Sequence, residues 1–334
     1  MTTHVVKADG SGDFTTINAA VNSASLAVSD IIEIQDSSTY TEEVLRTTSP
    51  VRADITIRAG TGYSPILDGN SQALAIGIEA YTGWIISGLE IREFDDYAIS
   101  GQGSNRVFYV RDCVIHDIGG VSGRGAIYRL KTGSIVERCK IYDITVAGGN
   151  GIHGATQAIT VRNCLIYNIA DIGISATGAG LVEHCTLDNC GTDGGAAYSI
   201  KATGGTVRYC IVYGNSNISV GGIRAATHSY NDSYGHTTNY YGGAGTGDLE
   251  TDPLFTNRAG DDYTLSPTSP CIAASVGSSV ADDLENRSRQ WDYDHKVDGV
   301  YTANHEEMGC HERYEAKVLG VVTADINKVM GQSG

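Results

Sequence analysis

Six polar or aromatic residues, each directly after an isoleucine, recur at intervals of 22 to 28 residues and could line one surface. They are Ser100, Tyr128, His153, Ser175, Lys201 and Arg224. An aromatic ring offers a platform for a sugar, a histidine can carry a proton near neutral pH, and Lys or Arg can meet uronate or sulfate groups. Tyr128, His153, Lys201 and Arg224 are therefore candidate substrate-binding residues, with His153 also a catalytic candidate. The alternative is an ordinary solvated sheet face of mixed polarity.

The elements that would position these residues follow from two repeats. The preceding isoleucines form the first repeat, and five Val-x-x-Cys-x-(Ile/Leu/Val) segments form the second. Their cysteines are Cys113, Cys139, Cys164, Cys185 and Cys210, spaced 26, 25, 21 and 25 residues apart. This period is typical of one coil of a solenoid. Alternation of inward and outward residues, with one extra residue before each cysteine, predicts short strands joined by a bend.

Stacked coils place the five cysteines in one column inside the solenoid. Free cysteine behaves as a small apolar core residue, so the column is interpreted as buried thiols. A disulfide framework is the alternative interpretation. The sequence has no Cys-x-x-Cys pair or Cys/His cluster with zinc-site spacing, and no metal site is predicted from these residues.

Composition excludes several classes of partner. The 334 residues include 42 Gly and only 5 Pro, and the net charge is −16. Such an excess of acid disfavours nucleic acid and anionic membrane surfaces, both of which require clustered Lys and Arg. No apolar stretch reaches the roughly 18 residues of a transmembrane helix, so no membrane insertion is expected. The first residues also lack the pattern of a secretory signal.

The chain divides into four predicted parts. Residues 1–30 form an N-terminal cap, with a helix over residues 15–25 that buries Ile17, Ala20, Val21 and Ala24. Residues 31–257 form the solenoid, residues 258–315 a closing segment and residues 316–334 a tail. The fold class is all-β with one short capping helix.

Two ends of the sequence carry a family resemblance. The opening Ala8-Asp-Gly-Ser-Gly-Asp-Phe-Thr-Thr-Ile-Asn-Ala-Ala-Val resembles the start of pectin esterases and related right-handed parallel β-helix proteins of the pectate-lyase-like superfamily. Thr251-Asp-Pro-Leu-Phe and Glu307-Met-Gly-Cys-His-Glu are similar to the closing segment of many bacterial and phage β-helix repeat proteins. The resemblance implies a right-handed parallel β-helix over residues 4–314. It specifies the fold better than the activity.

The catalytic motifs of those enzymes are incomplete. The Gln-containing motifs, the Val-Asp-Phe-Ile-Phe-Gly-like motif and the later Arg of pectin esterases are absent. Asp95-Asp96 resembles the paired aspartates of polygalacturonases, and Gly149-Asn-Gly-Ile-His153 faintly resembles their Gly-His-Gly. Their Asn-Thr-Asp and Arg-Ile-Lys motifs are missing. Asp95 and Asp96 are thus catalytic candidates for an inverting hydrolase, or simply turn residues before a strand.

One acidic segment is a partial match to a calcium site. Asp292, Asp294 and Asp298 alternate before Gly299, but the spacing departs from an EF-hand loop and no Glu closes it. Calcium is the one ion considered there, and no other cofactor is predicted.

The tail suggests a setting for the protein. Residues 316–334 repeat Lys-Val-(Leu/Met)-Gly and are similar to pieces that end many phage virion proteins. A virion protein reaches the outside by lysis without an export signal. The first hypothesis is therefore a virion-associated β-helix protein, a tailspike, fibre or capsid-surface component that contacts host glycans, docks on other virion proteins through residues 316–334 and forms a homotrimer. The alternatives are a soluble polysaccharide lyase or hydrolase, and a structural decoration protein without a ligand.

Overall fold

Parallel strands wind the chain into a solenoid with three faces. The computed structural model describes residues 1–46, 53–78, 83–101, 107–154, 156–193, 198–214, 221–272, 274–276, 280–286, 296–297, 300–301 and 305–311. Each strand pairs in parallel with the strand one coil later, so the predicted all-β parallel β-helix is confirmed. Where the repeats indicated at least two strands per coil, the structure has three.

Three parallel sheets, one on each face, contain these strands. The first sheet comprises Thr3–Val6, Ile31–Ile34, Thr56–Ala59, Trp84–Ser87, Phe108–Arg111, Ile135–Glu137, Thr160–Arg162, Leu181–Glu183 and the ends of Tyr198–Arg208 and Gly221–Ser229. The second comprises Thr39–Tyr40, the starts of Ile66–Ile78 and Glu90–Ser100, then Val114–His116, Lys140–Ile144, Leu165–Ile169, Thr186–Cys190, Ile211–Tyr213 and Asp232–Tyr234. The third comprises Val44–Arg46, the ends of Ile66–Ile78 and Glu90–Ser100, then Gly125–Tyr128, Asn150–His153, Ile174–Ser175, the starts of Tyr198–Arg208 and Gly221–Ser229, and Thr238–Tyr240.

A single left-handed residue makes the bend from the first sheet to the second. The residue before each ladder cysteine has φ between 49° and 59°: Asp112, Arg138, Asn163, His184 and Tyr209. One residue in this conformation turns the chain sharply without a loop, which is the extra residue that the repeat requires. Because each coil bends at the same place, the inward residues on either side stay in register.

The cysteine column is confirmed. All eight cysteines of the chain are buried and free. The backbone stacks as predicted, with the N–H of Lys140 donating to the carbonyl of Cys113 and that of Leu165 to Cys139. Each of the five ladder thiols also donates to the carbonyl two residues earlier, at 3.4 Å for Cys139 and Glu137. The thiols therefore fill the core and satisfy carbonyl groups at the bend.

Substitution of one ladder cysteine tests this packing. We expect Cys139→Ser to lower the free energy of unfolding by about 1 to 2 kcal/mol, because a hydroxyl is smaller and less apolar than the thiol even with the Glu137 carbonyl as acceptor. Urea denaturation measures the effect. An unchanged midpoint and slope would contradict it, and Val28→Ser, at a side chain that is 52% exposed, is the control with little expected change.

The second bend carries a column of polar residues in the same left-handed conformation. Glu93, Asp117, Asp143, Asn168 and Asn189 occupy it. The Asn189 amide donates to Asn168 at 2.9 Å, and the Asn168 amide donates to Asp143 at 2.9 Å. This short ladder fixes the entry to the third sheet.

The capping helix is shorter than predicted. It spans Ile17–Val21, with the Thr16 hydroxyl accepting from the N–H of Ala19 and the Glu42 carboxylate accepting from Ile17 and Asn18. Ile17, Ala20 and Val21 are buried as expected, but Ala24 is exposed and Leu26 is buried in its place. The helix stops because the Asn22 amide turns back to the carbonyl of Asn18. The parallel pairing of Thr3–Val6 with Ile31–Ile34 shows that the first coil starts within residues 1–30.

The closing segment folds back over the second sheet. It contains an antiparallel pair, Phe255–Asn257 with Asp262–Leu265, linked by the 3₁₀ turn Arg258–Gly260. Two further short antiparallel pairs follow: Ser275–Val276 with His305–Glu306, and Lys296–Val297 with Val300–Tyr301. The segment buries Cys271, Met308 and Cys310 against the coils. The tail, residues 316–334, lies outside the described residues.

Candidate functional site

The predicted outward residues lie in one column on the third sheet. Their strands pair so that Ser100, Tyr128, His153, Ser175, Lys201 and Arg224 are neighbours in that order. Adjacent coils are about 4.8 Å apart, so each side chain reaches the next. The structure thus brings all four predicted substrate-binding residues together. We call Tyr128, His153, Ser175, Lys201 and Arg224 the third-sheet strip.

Stacked rings form one end of the third-sheet strip. The Tyr97 and Tyr128 ring centroids are 4.7 Å apart with planes at 16°, and those of Tyr128 and His153 are 4.6 Å apart at 14°. The Arg124 guanidinium lies 5.0 Å from the Tyr97 centroid. The stack holds the ring planes fixed. Because Tyr128 lies between Tyr97 and His153, both of its faces are covered and it offers a ligand its ring edge.

His153 connects the aromatic end to the charged end. Burial lowers its pKa, and the nearby Lys201 ammonium lowers it further. Among the described residues, its buried Nδ1 has no hydrogen-bond partner. The lowered pKa favours the neutral imidazole near pH 7.

Sequence reasoning missed two acids, Asp171, which lies near Lys201, and Asp193, which lies near Asp171. Burial raises the pKa of Asp171, the Asp193 carboxylate raises it further, and Lys201 opposes them. Asp193 accepts a hydrogen bond from the N–H of Gly148 at 2.8 Å. Ile169 and Cys190 occupy equivalent positions on successive coils. Asp171 comes two residues after Ile169 and Asp193 three residues after Cys190, and this spacing was the signal in the sequence. Sequence spacing alone did not indicate that this bend faces the strip.

The other end of the third-sheet strip combines a cation with two further aromatic rings. The Arg224 guanidinium lies 4.6 Å from the Tyr241 centroid and 5.6 Å from that of Tyr198. Tyr241 is 53% exposed. Neither tyrosine follows a repeat isoleucine, so the repeat did not identify them.

The paired aspartates lie away from His153. Asp95 and Asp96 are inside the continuous strand Glu90–Ser100 rather than in a turn before it. Asp96 pairs with Arg124 at 3.6 Å. Asp96 is four residues from Ser100, roughly 13 Å along the strand, and His153 lies two coils beyond Ser100. The structure therefore does not bring the three predicted catalytic candidates into one site.

Metal and membrane features can be described for part of the chain. Within the described ranges, no group of three or more His, Cys, Asp or Glu side chains is arranged to hold a metal ion. Asp292, Asp294 and Asp298, the possible calcium ligands, lie outside those ranges. No described helix is long and apolar enough to cross a membrane.

Comparison with known proteins agrees with this architecture. The family model described as right handed beta helix region matches residues 74–238. The crystal structure of pectate lyase Pel9A superimposes with a TM-score of 0.54 at 13% sequence identity, covering 94% of this chain and 97% of that chain. No curated protein matches the sequence. At such low identity, the likeness to the pectate lyase concerns the fold alone. The chain is a right-handed parallel β-helix protein with a pectate-lyase-like fold.

Proposed function

We propose that this protein binds an acidic polysaccharide along the third-sheet strip. The observation that carries the proposal is the single column in which stacked rings lead into two cations. Tyr97, Tyr128 and His153 form the ring stack. Ser175 follows His153 in the column, and Lys201 and Arg224 come after Ser175. The ring stack gives a sugar a rigid apolar edge to contact, while ammonium and guanidinium groups bind carboxylate or sulfate. A polymer running across the coils meets both.

The charge of the chain limits where an anionic ligand can bind. The chain carries a net charge of −16, so an acidic polymer is repelled by most of its surface. Arg224 packs against the rings of Tyr198 and Tyr241, while the Lys201 ammonium interacts with both His153 and Asp171. A local positive site on an acidic protein selects the position of the ligand more than its overall affinity.

Polysaccharide cleavage is a second candidate function, favoured by the perturbed groups at the centre of the strip. His153 has a lowered pKa, and Lys201, two coils further along the same column, contributes to that shift. Removal of the proton next to a uronate carboxylate requires a base and neutralisation of that carboxylate, and His153 and Lys201 can fill these two roles. In this β-elimination the electron pair of the C–H bond forms a double bond as the glycosidic C–O bond at the neighbouring carbon breaks. The leaving oxygen takes up a proton, and an unsaturated sugar remains at the new chain end.

Binding of polygalacturonate tests the proposed function. We expect Lys201→Gln/Arg224→Gln to weaken binding by at least about tenfold, since each lost charge-assisted hydrogen bond contributes roughly 1.5–3 kcal/mol. Affinity electrophoresis or calorimetry measures it, with neutral galactan as the uncharged polymer. Lys7→Gln, which removes a charge far from the strip, is the matched control and should bind like the parent. The proposed site would be refuted if the double variant bound polygalacturonate as tightly as the parent, or if the parent bound galactan as tightly as polygalacturonate.

The same incubations separate binding from cleavage. Unsaturated uronate products absorb ultraviolet light. If this absorbance rises with the parent protein and is lost in His153→Gln, the result favours polysaccharide cleavage. Binding without product favours a purely binding protein.

The role in a virion stays a prediction. The tail through which other virion proteins would dock, the host glycan and the homotrimer all rest on the resemblance described from the sequence. The third-sheet strip is compatible with a tailspike or fibre that grips a surface glycan.

A further inference from the structure

The first sheet carries a column of alternating charges on its outer surface. Pairing of successive strands places Glu33, Arg58, Ser87, Arg111, Glu137, Arg162, Glu183 and Arg208 next to one another in that order. Most of the charges are matched. Arg58 lies 2.5 Å from Glu33, Arg162 lies 2.6 Å from Glu137, and Arg208 lies 2.8 Å from Glu183.

Arg111 is the unmatched member of this column. The position before it is Ser87 where the alternation requires an acid, and the acid after it, Glu137, is held by Arg162 and by Arg138 at 3.6 Å. Within the described residues, the Arg111 side chain has neither an ion pair nor a hydrogen bond, and it is exposed. Its guanidinium therefore keeps its full set of donors for a ligand.

An apolar row lies beside Arg111. Tyr109 is two residues earlier on the same strand, with Ile85 one coil before it and Ile135 one coil after it. Tyr109 is 37% exposed, and both isoleucines are half-buried. Together with Val110, Arg111, Glu137 and Arg162, they line a cavity of about 240 Å³.

We propose that this cavity binds an aryl carboxylate, a planar ring joined to a carboxylate by a short spacer. The ring of the ligand packs on Tyr109 between the two isoleucines. The Arg111 guanidinium donates two hydrogen bonds to the two oxygens of the carboxylate. Residues two apart on a strand are roughly 6.6 Å apart, which suits a spacer of about two atoms.

Cinnamate is the probe that tests this site on the full chain. Fluorescence or calorimetric titration should show saturable binding to the parent, with cinnamyl alcohol, which lacks the carboxylate, at least about tenfold weaker. Arg111→Gln should weaken cinnamate binding by a similar factor. Arg58→Gln, in the same column but engaged with Glu33, is the matched control and should bind cinnamate like the parent. Lys201→Gln/Arg224→Gln should also leave cinnamate binding unchanged.

Several outcomes would overturn the proposal. These are equal affinity for cinnamate and cinnamyl alcohol, parental affinity in Arg111→Gln, or no saturation below about 10 mM, where the binding free energy is smaller than about 3 kcal/mol. Because Arg111 is exposed and unpaired, its replacement should leave the melting temperature unchanged, which separates loss of the site from loss of the fold. Failure of polygalacturonate binding would not affect this result, since the two sites lie on different sheets.

Discussion

Arg258→Ala is expected to lower the free energy of unfolding by about 2 to 4 kcal/mol. The Arg258 guanidinium donates to both carboxylate oxygens of Asp188, at 2.8 and 2.7 Å, and the Tyr263 hydroxyl donates to the same carboxylate at 2.9 Å. Asp188 is only 5% exposed, so removal of the cation leaves a nearly buried charge without its main partner. The guanidinium also lies 4.1 Å from the Tyr213 ring centroid, and that contact is lost as well. Chemical denaturation measures the effect.

The matched control is another arginine with a carboxylate partner one coil away. Arg58 pairs with Glu33 on the first sheet but is 44% exposed, so Arg58→Ala should cost no more than about 1 kcal/mol. Asp188→Asn/Arg258→Ala should recover part of the loss, because the uncompensated charge is gone. Equal effects of Arg258→Ala and Arg58→Ala would contradict the view that this pair fastens the closing segment to the coils.

Asp232→Asn is expected to stabilise the protein by about 2 kcal/mol at pH 8. Burial raises the pKa of Asp232 to about 6, with Asp252 and Glu250 adding to the rise, against an ordinary value near 4. The folded protein thus binds this proton more tightly than the unfolded chain. The resulting stability is complete below about pH 4 and is lost as the pH rises through about 6. An amide stays neutral and its oxygen can still accept from the N–H of Thr251, 3.1 Å from Asp232.

The pH dependence of the gain identifies its cause. Asp232→Asn should match the parent near pH 4 and exceed it increasingly towards pH 8, as followed by denaturation midpoints across this range. Asp252→Asn removes an equal charge from an exposed position nearby, and its effect should stay within about 0.5 kcal/mol at every pH. A gain that is the same at pH 4 and pH 8 would show that packing, rather than desolvation of the carboxylate, accounts for it.

The sequence predicted the coil well because each coil repeats the same inward residues. The isoleucine and cysteine columns fixed the period, and the neighbours of each isoleucine followed from strand alternation. Tyr128, His153, Lys201 and Arg224 were placed in one column for this reason. Helix length was predicted less well, since Ala24 matched the helical period while the Asn22 side chain ended the helix earlier.

What the sequence by itself determined is three features that recur once per coil: the parallel β-helix, the thiol column and the third-sheet strip. Only the tertiary structure decided which residues from outside the repeats contact these columns. Asp171 comes near Asp193 and Lys201 through bends of unequal length, and Arg258 reaches Asp188 across 70 residues. Arg111 is unmatched because its neighbour one coil earlier is Ser87. Periodic contacts can be read from a sequence because stacking repeats them, whereas bends and returning segments depend on distances in space that no period encodes.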